Sequence, residues 1–364
     1  MQLRTALQQG LELLREGQVG APELTAGVLL CHALHRERIY LFSHPEHELT
    51  ELEWLHYGRY LHERLKGKPT QYITHVQEFW GRDFHVEPGV LIPRPETEHV
   101  VEQALRVWGG SPEPDADRGT QHAPQHRAAN EKSGHSSRAG DPGDRSLRSR
   151  LCAADGGVAG QTADAEQALA CGGHQSAQAG VIHRSLTVAA PFGSVAAPLR
   201  VLDIGTGSGI LAVTLALETG GRAYATDLSS KALAIASGNA AKLGARCGFA
   251  QCDLGSAFAD LSFDLVVSNP PYIESAEIGT LQREVREWEP REALDGGASG
   301  LEIYARLIPE AARLLRPGGW LILEIGATQG ETVPALFDAS WQAPEVVSDL
   351  AGLPRVVKAR VALS

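Results

Sequence analysis

The stretch that decides the fold is Leu199-Arg200-Val201-Leu202-Asp203-Ile204-Gly205-Thr206-Gly207-Ser208-Gly209. Its first six residues form a short apolar run that predicts a buried strand, and its last five form a glycine-rich turn. Residues 210–217 are apolar and predict a helix. A strand, a glycine-rich turn and a helix in succession are typical of the first unit of a nucleotide-binding α/β sheet, where the backbone of the turn approaches a ligand closely.

The same alternation of strand and helix continues to the end of the chain. Further strands are predicted at residues 223–227, 263–268 and 319–324, and helices from Ser229 or Ser230 to Ala241 and over 301–315. Such alternation predicts a parallel sheet covered by helices on both faces. Residues 346–347 and 355–361 are expected to close this sheet as an antiparallel edge pair.

The N-terminal part has a different pattern, and residues 1–75 are predicted to form a small helical domain. Leucines recur at helical spacing from Leu3, Pro22 can begin a second helix, and Thr50 followed by Glu53 matches a capping box. Strand-like segments at 72–74 and 78–80, followed by the turn Pro88-Gly89, predict a hairpin linker over residues 76–98. A helix is expected to begin near Glu96 and to start the C-terminal domain, residues 99–364.

A long segment at about 109–197 interrupts that domain. It is rich in Gly, Ala, Ser, His, Arg, Asp and Gln, and no aromatic residue occurs between Trp108 and Phe192. Because such a segment buries too little apolar surface to offset its ordering entropy, we predict a disordered insertion. Its histidines and two cysteines match no standard metal-site spacing, so no metal site is expected.

Composition narrows the class of protein. The net charge is −11, which argues against a broad phosphate-binding surface and therefore against direct nucleic-acid binding. Five cysteines without a paired short spacing suit a reducing compartment. No signal peptide and no apolar run of membrane-spanning length is recognised, so a cytoplasmic protein that does not bind membranes is expected.

The glycine-rich turn is the first candidate binding site, formed by Gly205, Thr206, Gly207, Ser208 and Gly209. A dinucleotide fingerprint requires its third glycine one position later, where this chain has isoleucine. The pattern therefore favours a nucleoside cofactor without a pyrophosphate, namely S-adenosylmethionine.

Four further positions, three acidic and one apolar, are predicted to complete the cofactor site. Asp203, at the end of the first strand, can face the ammonium group of the cofactor or a bound water. Asp227, at the end of the second strand, can accept hydrogen bonds from both ribose hydroxyls, although it could instead cap the following helix. Asp253 and Leu254 follow a third strand-like run and could contact the adenine, with an ordinary turn as the alternative.

The tetrapeptide Asn269-Pro270-Pro271-Tyr272 is the candidate transfer and substrate-binding site. An amide nitrogen is a poor nucleophile, because its lone pair is delocalised into the carbonyl. Two acceptors, the side-chain oxygen of Asn269 and the backbone oxygen of Pro270, can each take one N–H and localise that pair. Successive prolines fix the loop, and Tyr272 offers a flat face to a planar amide. The pattern predicts methyl transfer to an amide or amino nitrogen.

With these motifs the chain resembles the protein-glutamine methyltransferases that modify peptide chain release factors, the PrmC or HemK family. The resemblance covers nearly everything except residues 109–197. Besides the two loops, it is carried by segments at residues 69–73, 78–81, 91–98, 289–291, 324–326 and 349–352. The most specific of these is Ile92-Pro93-Arg94-Pro95-Glu96-Thr97-Glu98.

This resemblance implies a class I S-adenosylmethionine-dependent methyltransferase with a Rossmann-like seven-stranded sheet, a helical N-terminal domain and a hairpin linker. It implies cofactor contacts at residues 205–209, Asp227, Leu254 and Asn269. The implied acceptor is the glutamine of a Gly-Gly-Gln loop on a release factor, and a monomer is expected. His75 departs from the family, which has glycine there, and is expected to affect the hairpin; the insertion is the second departure.

Two other functions use the same residues. An amino-methyltransferase acting on adenine or guanine needs the same chemistry, and a ribosomal-protein glutamine is a further acceptor. A non-catalytic scaffold that binds the cofactor is disfavoured by Asn269. Direct in-line transfer without a covalent intermediate is expected, since Cys252 has no histidine near it in sequence to activate it.

Overall fold

The computed structural model describes residues 1–109 and 199–363. Their N-terminal part is helical, as predicted. Its helices are α1 (Leu3–Glu16), α2 (Pro22–Leu34), α3 (Arg38–Ser43), α4 (Glu51–Leu65) and α5 (Thr70–Thr74). Pro22 is the first residue of α2, and Thr50 and Glu53 form the predicted capping box at α4. A local core of leucine and tyrosine side chains, including Leu30, Tyr57 and Leu61, holds the helices together.

The linker forms a shorter hairpin than predicted. Strands β1 (Val76–Phe79) and β2 (Arg82–His85) pair antiparallel. The prediction of strand at Tyr72–Thr74 was wrong, because these residues belong to α5. There Tyr72 is fully buried beside Val90 and Ile92 and donates a hydrogen bond to the carbonyl of Val90, so tertiary packing overrides the β propensity of the sequence.

His75 ends α5 in the left-handed region, with φ of 60°. This conformation favours glycine, and it costs a residue with a side chain of the order of 1 kcal/mol. The imidazole of His75 stacks on that of His85 with ring centroids 5.5 Å apart. The hairpin therefore begins directly after a strained residue and stays paired over its full length.

The central sheet has seven strands in the described residues, in the order β5-β4-β3-β6-β7-β9-β8. They are β3 (Arg200–Ile204), β4 (Arg222–Asp227), β5 (Cys247–Gln251), β6 (Phe263–Ser268), β7 (Leu315–Glu324), β8 (Glu345–Ser348) and β9 (Pro354–Arg360). Strands β3 to β7 pair parallel, and β8 and β9 are antiparallel, as expected for the edge. The fold is that of a class I methyltransferase.

Helices cover both faces of this sheet. The covering helices are α6 (Glu98–Trp108), α7 (Ile210–Thr219), α8 (Ser230–Leu243) and α10 (Glu302–Leu314), and the short helix α9 (Arg283–Trp288) lies outside both apolar layers. Successive strand residues point to opposite faces, so Val201 packs with α6 and α7 on one face and Leu202 packs with α10 on the other. Both apolar layers are needed because a parallel sheet is buried on both sides.

The predicted insertion at 109–197 lies outside the described residues, except for Gly109, which ends α6. The division into domains at 75, 98 and 364 remains a prediction. Among the described helices, none is long and apolar enough to cross a membrane.

Ion pairs tie the N-terminal segments to the sheet domain, and two of them involve the region around α9. Arg64 of α4 pairs with Glu284 of α9. Glu289, whose side chain is 1% exposed, accepts the backbone N–H of Ile92 at 3.0 Å and pairs with Arg94 at 2.5 Å. These contacts anchor residues 92–98 against the loop that follows α9.

We expect Glu289→Gln to lower the free energy of unfolding by about 1.5–3 kcal/mol, because a buried hydrogen bond to a charged group is lost and Arg94 is left without its partner. Glu287→Gln is the matched control, since Glu287 lies on α9 in an exposed pair with Arg283. Urea denaturation of both variants measures the difference. Equal midpoints for the two would contradict the anchoring role of Glu289.

Candidate active site

The predicted site residues meet at one edge of the sheet, where the parallel strands have their carboxyl ends. Asp253 and Leu254 follow β5, Asp227 ends β4, residues 205–209 follow β3, and residues 269–272 follow β6. Because β5, β4, β3 and β6 are neighbours in that order, the four segments lie side by side.

The strand order reverses between β3 and β6. From β3 the chain proceeds outward through β4 and β5, and it then returns to β6 on the other side of β3. Asp203 is paired with Val267, so Gly205 and Asn269 both lie two residues beyond the same pair. Ser268 also donates a hydrogen bond to the carbonyl of Ile204 at 2.6 Å. Ligands of open α/β sheets bind at such a reversal point.

The glycine-rich loop has the conformation that its sequence requires. Gly205, Gly207 and Gly209 have positive φ values of 72°, 54° and 86°. A Cβ at Gly209 would lie 2.9 Å from the Cβ of Ala236 in α8, whereas the Cβ positions of Gly205 and Gly207 face open space. The loop therefore packs closely on one side and leaves its backbone accessible on the other, which fits a bound nucleoside.

Asp203 lies beneath this loop and is 1% exposed. One carboxylate oxygen accepts the hydroxyl of Thr206 at 2.6 Å and the N–H of Ala212 at 3.1 Å. The other oxygen is buried without a partner among the described residues. Burial raises the pKa of Asp203 to about 7, and the negative charge of Asp227 adds to the shift. Asp203 thus joins the end of β3 to the start of α7, and its role toward an ammonium group remains a prediction.

Asp227 joins the loop to the next helix. Its carboxylate accepts the N–H of Gly207 at 2.9 Å and the N–H of Ser229 at 2.8 Å. Ser229, and not Asp227, caps α8 by accepting the N–H of Ala232. Each oxygen of a carboxylate can accept two hydrogen bonds, so Asp227 keeps capacity for the ribose hydroxyls predicted for it.

Asp253 and Leu254 lie beside the end of β4, since Cys252 donates its N–H to the carbonyl of Asp227 at 3.3 Å. Asp253 pairs with Arg306 of α10 and is half exposed. Leu254 has a φ of 51° and packs partly against the core on the α10 face. Their contacts with an adenine remain predictions.

Asn269 is held by a residue that is distant in sequence. Its side-chain NH2 group donates to the hydroxyl of Thr97 at 3.1 Å, while its side-chain oxygen has no partner in the described part of the chain. Thr97 is fully buried, and so is the carboxylate of Glu324, the last residue of β7. The hydroxyl of Tyr272 donates to the same carboxylate at 3.4 Å.

The backbone of Tyr272 is held in place by Gln329 and Gly296. Its carbonyl accepts the side-chain N–H of Gln329 at 3.2 Å, and a Cβ at Gly296 would lie 2.8 Å from the Tyr272 Cα. Burial raises the pKa of the Tyr272 phenol well above its usual range, and the neighbouring Glu324 adds to this shift. Tyr272 therefore stays neutral at physiological pH.

Four residues of this edge were missed by reasoning from the sequence. Thr97 and Glu324 were seen as parts of family motifs, but no pattern assigned Thr97 its contact with Asn269 or Glu324 its contact with Tyr272. Asn239 is fully buried in α8 and bonds the carbonyls of His85 and Ser208, which ties the hairpin to the glycine loop. Gln329 gave no local signal. Each of the four contacts a residue more than 30 positions away along the chain, and sequence periodicity cannot reveal such contacts.

One group of three potential metal ligands lies close together in the described residues, outside this edge. Their ligand atoms, from His75, His85 and Glu87, are within 4.8 Å of one another. The ammonium of Lys231 lies 3.5 Å from the Glu87 carboxylate and forms an ion pair with it.

Comparison with known proteins relates both parts of the chain to described families. Residues 5–74 match the PrmC N-terminal domain, and residues 194–286 match the methyltransferase small domain. A release factor glutamine methyltransferase of Koribacter versatilis is 35% identical, with 99% of each chain covered. One of Nitratidesulfovibrio vulgaris is 34% identical and covers 98% of this chain and 95% of its own. Among solved structures, TrmN from Thermus thermophilus is 24% identical over 45% of this chain and 44% of its own, with a TM-score of 0.34.

We expect Asp227→Ala to weaken S-adenosylmethionine binding by about 10- to 100-fold, because the Gly207 N–H loses its acceptor and the ribose loses a partner. Isothermal titration calorimetry measures the change. Asp338→Ala is the control, because Asp338 is exposed and its carboxylate accepts hydrogen bonds from the neighbouring Ser340. An unchanged dissociation constant in Asp227→Ala would remove Asp227 from the cofactor site.

Gly209→Ala is expected to lower the melting temperature and to weaken cofactor binding, because the new methyl group is strained and contacts Ala236. Gly238→Ala is the control, since Gly238 is exposed in α8 and nothing lies within 4 Å of its Cβ position. There alanine should raise stability by about 0.5–1 kcal/mol. Thermal melts with and without cofactor compare the two, and equal effects would show that the close approach at Gly209 is unimportant.

Proposed function

The chain belongs to the release factor glutamine methyltransferase family, and from this we propose that it transfers the methyl group of S-adenosylmethionine to a release factor. The acceptor is the side-chain amide nitrogen of the glutamine in the Gly-Gly-Gln motif. Relatives with this activity in their names match over the whole chain at 34–35% identity. The enzyme is a methyltransferase, and its cofactor is S-adenosylmethionine.

The observation that carries the proposal is the orientation of the Asn269 side chain. Its NH2 group is engaged by Thr97, and its oxygen has no partner among the described residues. This oxygen belongs to the loop after β6, next to the glycine loop after β3. An acceptor amide placed between the two loops can donate one N–H to it and the other to the carbonyl of Pro270.

These two acceptors address the difficulty of the reaction. The nitrogen lone pair of an amide is delocalised, and fixed acceptors on both N–H groups favour the geometry in which it points at an electrophile. The ring of Tyr272 gives the planar amide a surface to lie on, and burial excludes water from that side. When bound, S-adenosylmethionine supplies an electrophilic methyl group on its sulfonium.

No general base is needed to remove a proton from the acceptor nitrogen before methyl transfer. The nitrogen loses its proton only as it is alkylated, and the proton passes to water or to a backbone carbonyl. Methyl transfer is direct, and no covalent bond to the protein forms.

We propose that the enzyme acts as a monomer in the cytoplasm on a protein substrate, without binding nucleic acid. The net charge of −11 supports a protein substrate over a polyphosphate surface. The pairing of Arg64 with Glu284 supports a helical domain that is fixed to the sheet domain and that extends the substrate-binding surface.

Mass spectrometry of a release factor incubated with the enzyme and S-adenosylmethionine tests the proposal. We expect a gain of one methylene in mass on the peptide that contains the loop glutamine, and no gain when that glutamine is replaced by alanine in the substrate. Asn269→Ala should lower kcat by about 100-fold or more, because the fixed acceptor is lost.

Gln342→Ala is the control, since it removes an exposed amide near Arg360, at the opposite edge of the sheet. Modification of another protein, with the release factor unmodified, would replace the proposed substrate. Full activity of Asn269→Ala would exclude the assigned role of that side chain.

A further inference from the structure

We propose that His75, His85 and Glu87, at the open end of the β1–β2 hairpin, form a binding site for a divalent transition-metal ion such as Zn²⁺. Three ligand atoms, one from each side chain, lie within 4.8 Å of one another. Imidazole nitrogen suits Zn²⁺, Ni²⁺ and Cu²⁺, whereas Mg²⁺ and Ca²⁺ take oxygen ligands. The site lies apart from the transfer site and does not depend on the proposed function.

The register of the hairpin brings the two imidazoles together. His75 directly precedes β1, and His85, the last residue of β2, is paired with Val76. The N–H of Val86 donates to the carbonyl of His75 at 3.2 Å, so the two chains stay bonded beyond the strands. The imidazole rings are nearly parallel, with an angle of 17° between their planes and centroids 5.5 Å apart. Backbone pairing thus fixes two nitrogen ligands side by side.

Glu87 lies on the same side of the chain as His85. Burial alternates along residues 84–87, and Val86, between the two ligands, is fully buried. His85 Nε2 lies 3.6 Å from Glu87 Oε2. Two ligand atoms of a tetrahedral zinc ion, each bonded at about 2.0–2.1 Å, are about 3.4 Å apart. These two side chains therefore already have nearly the spacing of neighbouring zinc ligands.

Lys231 contacts the other oxygen of the same carboxylate. Its Nζ lies 3.5 Å from Glu87 Oε1, so this ion pair leaves Oε2 facing His85. Carboxylates that bind metals commonly have an outer partner of this kind, which fixes their orientation. The side chains of Lys231 and Glu87 are 53% and 36% exposed, so water screens the repulsion between the ammonium and a bound cation.

The backbone of His75 gives an independent reason to assign a role to its side chain. Its φ of 60° lies in the left-handed region, where glycine is unstrained and a residue with a side chain is not. The residue is exposed, so burial of the imidazole does not offset this strain. Backbone strain of this kind is concentrated at ligand-binding and functional sites. A bond from the imidazole to a metal ion is an interaction that glycine could not supply.

A metal ion at this position would join the end of α5 to the end of β2. The backbone of His85 is already held by Asn239 of α8, which accepts its N–H at 2.7 Å and donates to its carbonyl at 3.0 Å. Asn239 also donates to the carbonyl of Ser208 in the glycine loop. The bound ion would therefore stabilise the hairpin where it packs on α8. With three protein ligands on an exposed surface, water takes the fourth coordination position.

Isothermal titration calorimetry of the untagged full chain with Zn²⁺, and separately with Mg²⁺, tests the site. We expect His75→Gly and Glu87→Gln each to weaken Zn²⁺ binding at least about 100-fold, since even the outer partners of metal ligands contribute 10- to 100-fold. Mg²⁺ should not bind. Histidines and cysteines elsewhere in the chain give the same background in every variant.

His99→Gln is the matched control, because His99 Nδ1 lies 3.5 Å from Glu102 in a pair of one imidazole and one carboxylate. It should bind Zn²⁺ as the parent does. His75→Gly removes a ligand and relieves the backbone strain, so it should fold at least as well as the parent without metal. Equal Zn²⁺ affinity and stoichiometry in the parent and in His75→Gly would overturn the proposal.

Thermal melts and hydrogen exchange place the bound ion within the chain. Zn²⁺ at a hundredfold excess over its dissociation constant should raise the melting temperature of the parent by about 5 °C, and a chelator should reverse the change. Exchange of the amides of residues 76–86 should slow with Zn²⁺ in the parent and not in His75→Gly. An equal rise in melting temperature in His75→Gly, or slower exchange only outside the hairpin, would overturn the assignment of these ligands.

Discussion

The parallel pairing of β3 with β6 is the constraint on which the rest of the molecule depends. It brings the glycine loop and the Asn-Pro-Pro-Tyr loop to adjacent positions, because both leave the sheet two residues beyond the Asp203–Val267 pair. Residues 205–262 separate the two strands along the chain, and β3 and β6 are still neighbours at the reversal of strand order. The cofactor and the acceptor that we propose for these two loops would therefore be neighbours.

Two buried carboxylates maintain this edge, and each has one oxygen with no partner in the described residues. Asp203 accepts the Thr206 hydroxyl beneath the glycine loop, and Glu324 accepts the Tyr272 hydroxyl of the Asn-Pro-Pro-Tyr loop. Burial raises the pKa of both to about 7. Such groups lower the stability of the fold when ionised, so their presence at the two halves of the site is consistent with selection for function rather than for stability.

Local patterns predicted most of the fold and the principal loops. The strands at 200–204, 222–227 and 263–268 and the helices between them follow from apolar runs and capping residues, and the glycine spacing at 205, 207 and 209 indicated the loop. The failure at Tyr72–Thr74 has a clear cause: tyrosine and isoleucine favour strands, but the hydrogen bond of Tyr72 to Val90 and its burial beside Ile92 select a helical turn.

The sequence by itself therefore determined the fold class, the glycine loop and the Asn269–Tyr272 loop, because each depends on residues that are close along the chain. The tertiary structure alone decided which way the Asn269 amide faces, which oxygen atoms remain available, and which pKa values burial raises. These properties depend on Thr97, Glu324 and Gln329, which come from distant segments. A hydrogen bond is set by the distance and direction between two groups in space, and spacing along the chain carries no information on either.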